Sequence, residues 1–213
     1  MNRTVLLLLL VINSVAVAEQ RIAISHFATS PHLEGWQNKS FKGETLYTLV
    51  TLENLPVLQA KSDNSASGLF HEKRIDLQRT PYLHWSWRID KPLGRLNEQS
   101  KAGDDYPARI YVVISGGLLF WQTQAINYVW SSNQRAGTEW PNAFTDHAHM
   151  IAQRGQEDQL GVWHHERRDI RADVKRLIGS DVQYIDAIAL MTDSDNSGGS
   201  ATAYYGEIYF SDE

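Results

Sequence analysis

Alternation of apolar and polar positions dominates this chain. In Tyr82 to Asp90, Leu83, Trp85, Trp87 and Ile89 fall on one side and Tyr82, His84, Ser86 and Arg88 on the other. A period of two is the mark of a strand buried on one face. Thr45 to Leu52 predicts another strand, interrupted by Asn54 and Pro56, and Val57 to Lys61 a short one before the turn-forming run Ser62-Asp63-Asn64-Ser65. Ala108 to Ser115 is nearly continuous in apolar residues and predicts a central strand; Gly116-Gly117 breaks it and Leu118 to Trp121 resumes. Ala125 to Trp130, His147 to Ala152, Val182 to Met191 and Thr202 to Phe210 complete the predicted set.

One segment follows a different period. Ile170, Val174, Leu177 and Ile178 stand at i, i+4, i+7 and i+8, a helical stripe. Asp169 can cap its start and Gly179 can close its end. Many short strands with one late helix do not build βαβ units. They predict a mainly β fold, an antiparallel two-sheet sandwich or jelly roll, with one short helix near 169–178. The stripe of Ile170, Val174 and Leu177 should lie against the sandwich. No repeat or Pro-rich linker divides the chain, so a single domain is expected from Ile22 to Phe210.

Composition narrows the function classes. The 213 residues carry 20 Lys plus Arg against 25 Asp plus Glu, a formal charge of −5. That balance argues against non-specific nucleic-acid binding, which needs clustered cations to neutralise phosphates. Cysteine is absent, which excludes disulfides, thiolate metal sites and a Cys nucleophile. The N-terminus reads as an address. Arg3 precedes the apolar run Val5 to Ile12, and Ala16-Val17-Ala18 supplies the small residues of a cleavage site. The run is too short to span a bilayer, which takes about 20 apolar residues. We therefore expect residues 1–18 to be a signal peptide and the protein to be periplasmic or secreted, with no membrane span after cleavage.

Several stretches resemble the domain of unknown function 3047 family of exported bacterial proteins. They are Ser65-Ala66-Ser67-Gly68-Leu69, Trp85-Ser86-Trp87-Arg88, Lys101-Ala102-Gly103-Asp104-Asp105-Tyr106-Pro107-Ala108-Arg109-Ile110-Tyr111-Val112, Asn127-Tyr128-Val129-Trp130, Met191-Thr192-Asp193-Ser194-Asp195-Asn196 and Tyr204-Tyr205-Gly206-Glu207-Ile208-Tyr209-Phe210. The resemblance implies the domain bounds and export, and it brings no activity. The layout is also loosely similar to galactose-binding-type β-sandwiches, a likeness of architecture only.

Candidate chemistry gathers in two acidic runs. Arg109 enters an apolar strand beside Tyr111 and Val113, so it needs a carboxylate, and Asp104 or Asp105 is the expected partner. It reads either as the edge of a polar cleft for a sugar hydroxyl or carboxylate, or as an ion pair fixing the loop to the sheet. Asp193-Ser194-Asp195-Asn196-Ser197-Gly198 opens like a calcium loop, but the twelfth position is Tyr204, so an EF-hand is rejected. A polar turn or a weak Ca²⁺ site of another kind remains. If the strands bearing Asp193 and Arg109 are antiparallel neighbours, both acidic runs meet at one rim. His147 and His149, with His84 or His164-His165, have zinc-compatible spacing without a marked third ligand. Trp121, Trp130, Trp140 and Trp163 lie near strand ends or loops, where ring faces can stack on sugars.

These features point to binding of a glycan or glycan-derived ligand in a polar Asp/Arg/Trp cleft. The candidate residues are Lys101, Asp104, Asp105, Arg109, Trp130, Asp193, Asp195 and Asn196. No cofactor is expected beyond weak calcium. A carboxylate-dependent glycan hydrolase or lyase is one alternative, and an envelope protein without ligand is another.

Overall fold

A computed structural model describes residues 19–213 except 31 and 119–121. The expected signal peptide and Trp121 lie outside the described residues, as does all but Leu118 of the strand expected at Leu118 to Trp121. Thirteen strands, a 3-10 turn and one α-helix are seen among the described residues. They form two sheets face to face, as the alternation predicts. The first sheet contains β11 (His164–Asp169), β6 (Tyr82–Lys91), β13 (Ser200–Ser211), β4 (Leu55–Asp63) and β3 (Leu46–Leu52) in that order, with β1 (Arg21–Ala23) also pairing β13. The second runs β2 (Trp36–Lys42), β5 (Ala66–Asp76), β12 (Tyr184–Asp193), β7 (Arg109–Ile114), β8 (Gln124–Trp130), β10 (Ala148–Arg154) and β9 (Glu139–Pro141). One pairing departs from the antiparallel expectation: β10 lies parallel to β8. The chain between them makes an excursion through β9 and so returns in the same direction.

The core lies between the sheets. Leu83, Trp85, Trp87 and Ile89 of β6 face Ile110 and Val112 of β7, Tyr128 of β8 and Ile188 and Leu190 of β12, all within one buried cluster. β3 and β4 meet in a tight hairpin, with Leu52 opposite Leu55. The two residues between them, Glu53 and Asn54, have φ of 53° and 65°. Positive φ at both centres is the twist a two-residue hairpin needs. The helix α1 (Ile170–Ile178) closes one end of the sandwich as expected. Asp169 accepts from Ala172 N, and Gly179 caps with φ of 78°. Ile170 and Val174 are buried, and Leu177 packs against the core.

The strands the pattern missed are the polar ones. β11 reads His-His-Glu-Arg-Arg-Asp, and β2 is an edge strand of mostly exposed residues. β5 runs through His71, Glu72, Lys73 and Arg74, and its register against β12 shifts there, which blurs the period of two. No helix among the described residues is long and apolar enough to cross a membrane.

Candidate functional site

The two acidic runs do converge. β12 and β7 are antiparallel neighbours with Met191 opposite Arg109, so the end of one strand lies beside the start of the other. Because Ile110 points into the core, Arg109 points to the outer face of the second sheet. The segment 92–108 folds back over that face. Its Tyr106 packs with Val129, Trp140, Met150 and Ala152 in a small second core. Arg109 is thus capped by Tyr106, its guanidinium 4.6 Å from the ring centre.

The partner of Arg109 differs from the one expected. It is Asp193, which the guanidinium grips with two nitrogens: Nε donates to Oδ1 at 3.0 Å and Nη2 to Oδ2. Asp104 is secondary. Its backbone carbonyl accepts from Arg109 Nη2 at 3.2 Å, and its carboxylate lies 3.9 Å from Nη1. The Asp104 carboxylate is held instead by Asn142 Nδ2. Asp105 serves the other loop, accepting from Asn196 N, Asn196 Nδ2 and Ser197 N. The physical reason is register: Asp193 ends the neighbouring strand at the height of Arg109, whereas Asp105 approaches from the loop above and meets backbone amides. Asp104, Asp105, Arg109 and Asp193 are each no more than 5% exposed. The expected cleft is therefore filled by its own partners. Asp105, Asp193 and Asp195 each bring one carboxylate oxygen within 4.8 Å of the others. That spacing suits a cation, yet Arg109, Asn196 and Ser197 already engage all three groups.

The remaining expected residues scatter. Lys101 is exposed, its ammonium 5.4 Å from the Phe144 ring centre. Trp130 is in the core, edge-on to Trp87 and His164, and it borders a cavity of about 190 Å³ with Pro92, Leu93 and Pro107. The histidines of the zinc-compatible set are not assembled. His84 is on β6 of one sheet and His149 on β10 of the other, and His164 Nε2 bonds to Gln159 O. Near the acidic cluster, burial lifts the Glu98 carboxyl above its usual range, while donors from Ser131 and Ser132 pull it back.

A cavity of about 470 Å³ lies elsewhere, on the outer face of the first sheet. A gap in strand pairing creates it. β4 accompanies β13 as far as Tyr205 opposite Leu58, and β1 takes up the same edge only at Tyr209 opposite Ala23. Between these points β13 also slips register against β6, from Tyr205 to Ile208. Of the three residues between Tyr205 and Tyr209, Ile208 O accepts from Ile24 N and Ser25 N, which leaves Gly206 and Glu207 in the gap. A side chain at 206 would put its Cβ 2.2 Å from Ser86 Oγ and 3.6 Å from the Trp163 ring, so glycine is required for Ser86 and Trp163 to close over the bulge.

The walls are aromatic and the rim is polar. Trp163 stands over Gly206, and Trp85 reaches the cavity from the core. The rings of His84 and Tyr209 stack 4.5 Å apart at 3°. The Arg21 guanidinium lies 3.6 Å from the Tyr209 ring centre and pairs with Glu207 at 2.9 Å. Glu166 is buried and saturated, accepting from Trp87 Nε1, Gln153 Nε2 and Arg154 Nε. Burial holds the His84 imidazole below its ordinary pKa, so it stays neutral at physiological pH. Among the described residues the indole N–H groups of Trp85 and Trp163 have no acceptor. Stacking faces, a hydroxyl, imidazoles and a paired carboxylate are groups for holding a hydroxylated ligand. Among the described residues no hydrogen bond joins Ser86 Oγ to a histidine. Ser86, Gly206 and Glu207 lie in stretches already singled out in the sequence. His165 and Tyr209 do too, and what was missing was any sign that all five share a gap.

The chain belongs to the family described as protein of unknown function (DUF3047), whose model matches residues 34–209. No curated protein matches the chain. Among solved structures it is similar to the family 11 carbohydrate-binding module of the cellulosomal cellulase Lic26A-Cel5E of Clostridium thermocellum. That match has 10% identity, 92% of this chain and 95% of that chain covered, and a TM-score of 0.48. The family 30 carbohydrate-binding module of the cellulase Cel9D-Cel44B of the same organism has 12% identity, coverage of 90% and 96%, and a TM-score of 0.48. The xyloglucanase domain of NopAA, a type three effector from Sinorhizobium fredii, in complex with cellobiose, has 11% identity, coverage of 83% and 92%, and a TM-score of 0.49.

Proposed function

We propose that this family member is an exported glycan-binding β-sandwich whose ligand lies in the cavity over the Gly206–Glu207 gap. The observation that carries the reading is the cavity itself: about 470 Å³, walled by Trp163 and the stacked His84–Tyr209 pair, with Ser86 and His165 on its floor and rim. A volume in the range of about 300–1000 Å³ suits a small organic ligand, and aromatic walls with few polar groups suit the mixed faces of a sugar ring. The pattern Arg3, Val5 to Ile12 and Ala16-Val17-Ala18 supports export. In this reading the cluster of Asp104, Asp105, Arg109 and Asp193 is a strut that fixes two loops to the sheet, the ion-pair alternative drawn from the sequence. Lys101, Trp130, Asp195 and Asn196 then belong to its surroundings rather than to the ligand.

The test is a glycan-array screen of residues 19–213, followed by calorimetric titration of the best binder. Trp163→Ala should weaken binding about tenfold, equivalent to ~1.4 kcal/mol of lost stacking. Its far-UV spectrum should be unchanged. Absence of any glycan binding, or equal binding by Trp163→Ala, would overturn the reading.

A further inference from the structure

The cavity at Gly206 does not end at its own walls. A second cavity of about 440 Å³ adjoins it, lined by residues of the 27–30 turn and of the β3–β4 hairpin. Ala28 and Pro56 line both. They stand as a waist between two lobes, one over the Gly206 gap and one beside the edge strand β3. The turn is held by Thr29 N and Ser30 N donating to His26 O, which places Ala28, an exposed residue, at the crossing.

The chemistry of the two lobes also agrees. The second lobe has no charged lining residue; it offers the hydroxyls of Thr29, Ser30 and Thr51 among apolar side chains. In the first lobe the lining carboxylates, Glu166 and Glu207, are already paired with Arg154 and Arg21, and no Lys or Arg is itself a lining residue of either lobe among the described residues. An anionic ligand would have to compete for Arg21 and Arg154 with the carboxylates that already hold them. Hydroxyls and apolar ring faces find partners along the whole length.

We infer that the ligand is a neutral, linear oligosaccharide segment occupying both lobes across the Ala28–Pro56 waist, not a single sugar and not an acidic glycan. This rests on the glycan-binding reading above. Each lobe alone has room for one small ligand, so affinity should grow as the chain lengthens until both lobes are filled. The gain comes from linking two contacts in one molecule, which spares the second its cost of association.

The experiment is a calorimetric series with mono-, di-, tetra- and hexasaccharides of neutral β-glucan, mannan and galactan, with oligogalacturonate as the acidic counterpart. The intact protein should bind the hexasaccharide of its preferred series at least tenfold more tightly than the disaccharide. Ala28→Trp, at the exposed turn between the lobes, should abolish that gain. Equal affinity for di- and hexasaccharide would overturn the inference while leaving the glycan-binding reading intact. So would an undiminished gain with length in Ala28→Trp, or oligogalacturonate binding as well as the neutral series. Failure of every oligosaccharide, neutral and acidic, would overturn both. The length series on the unmutated protein decides the matter even where Ala28→Trp fails to fold.

Discussion

Replacing Arg109 with Met tests whether the acidic cluster is a strut. Met preserves much of the aliphatic stem that packs near Tyr106 and Tyr111, so the change removes chiefly the charge and its donors. The Arg109 and Asp193 side chains are 6% and 2% exposed. Without the guanidinium, the Asp193 carboxylate keeps one weak donor, Tyr106 N at 3.3 Å, and remains close to the carboxylates of Asp105 and Asp195. Stranding a buried charge in this way costs about 3–5 kcal/mol. Against a total stability of about 5–15 kcal/mol, that is a large fraction. At about 2–4 °C per kcal/mol for a chain of this size, the melting temperature should fall by roughly 6–20 °C. Urea unfolding should show a lower midpoint at an unchanged slope. The double variant Arg109→Met, Asp193→Asn has no stranded charge, and its amide oxygen can still accept from Tyr106 N. It should recover at least half of the loss. Arg109→Lys, which keeps the charge but not the two-pronged grip, should fall between. A single variant within about 0.5 kcal/mol of the parent, the usual range for surface changes, would refute the strut. A double variant no better than the single would show that the loss comes from packing and not from charge.

Two further perturbations probe other parts of the molecule. Val174 is fully buried between α1 and the core, so Val174→Asp should leave the protein largely unfolded at room temperature by circular dichroism, and an unchanged melt would refute the packing of the helical stripe. Glu98 gives a pH dependence with a definite sign. Burial raises its folded pKa above the ordinary 4.5, so between the two values the native state holds a proton that the unfolded chain releases. That contribution is present at acid pH and lost as pH rises through the folded value. Glu98→Gln removes it, so the stability of the variant relative to the parent should increase from about pH 4.5 upward. A difference that stays flat with pH would contradict the burial account.

Local rules were legible wherever one face of an element is apolar. The alternation of β6 and the stripe and caps of α1 needed only nearest neighbours in sequence, and the structure keeps both. The meeting of the Asp104 and Asp193 runs was legible too, because it follows from pairing two adjacent strands antiparallel. The choice of Asp193 over Asp104 and Asp105 as partner of Arg109 was not. It depends on register across the sheet and on a loop that folds back to bury all four side chains, and neither leaves a periodic trace. β11 and much of β5 were hidden for a related reason: polar strands are held by ladder hydrogen bonds to their neighbours, not by their own pattern. The cavity was the least legible of all. It exists because β4 leaves β13 before β1 joins it, so an unpaired stretch at Gly206 and Glu207 opens beside residues from the 26–30 turn, β6 and β11. A gap between strands is a property of how the sheet is assembled. No single segment carries it: the sequence pattern marked the strands with one apolar face, while the assembled sheets decided where the cavity opens.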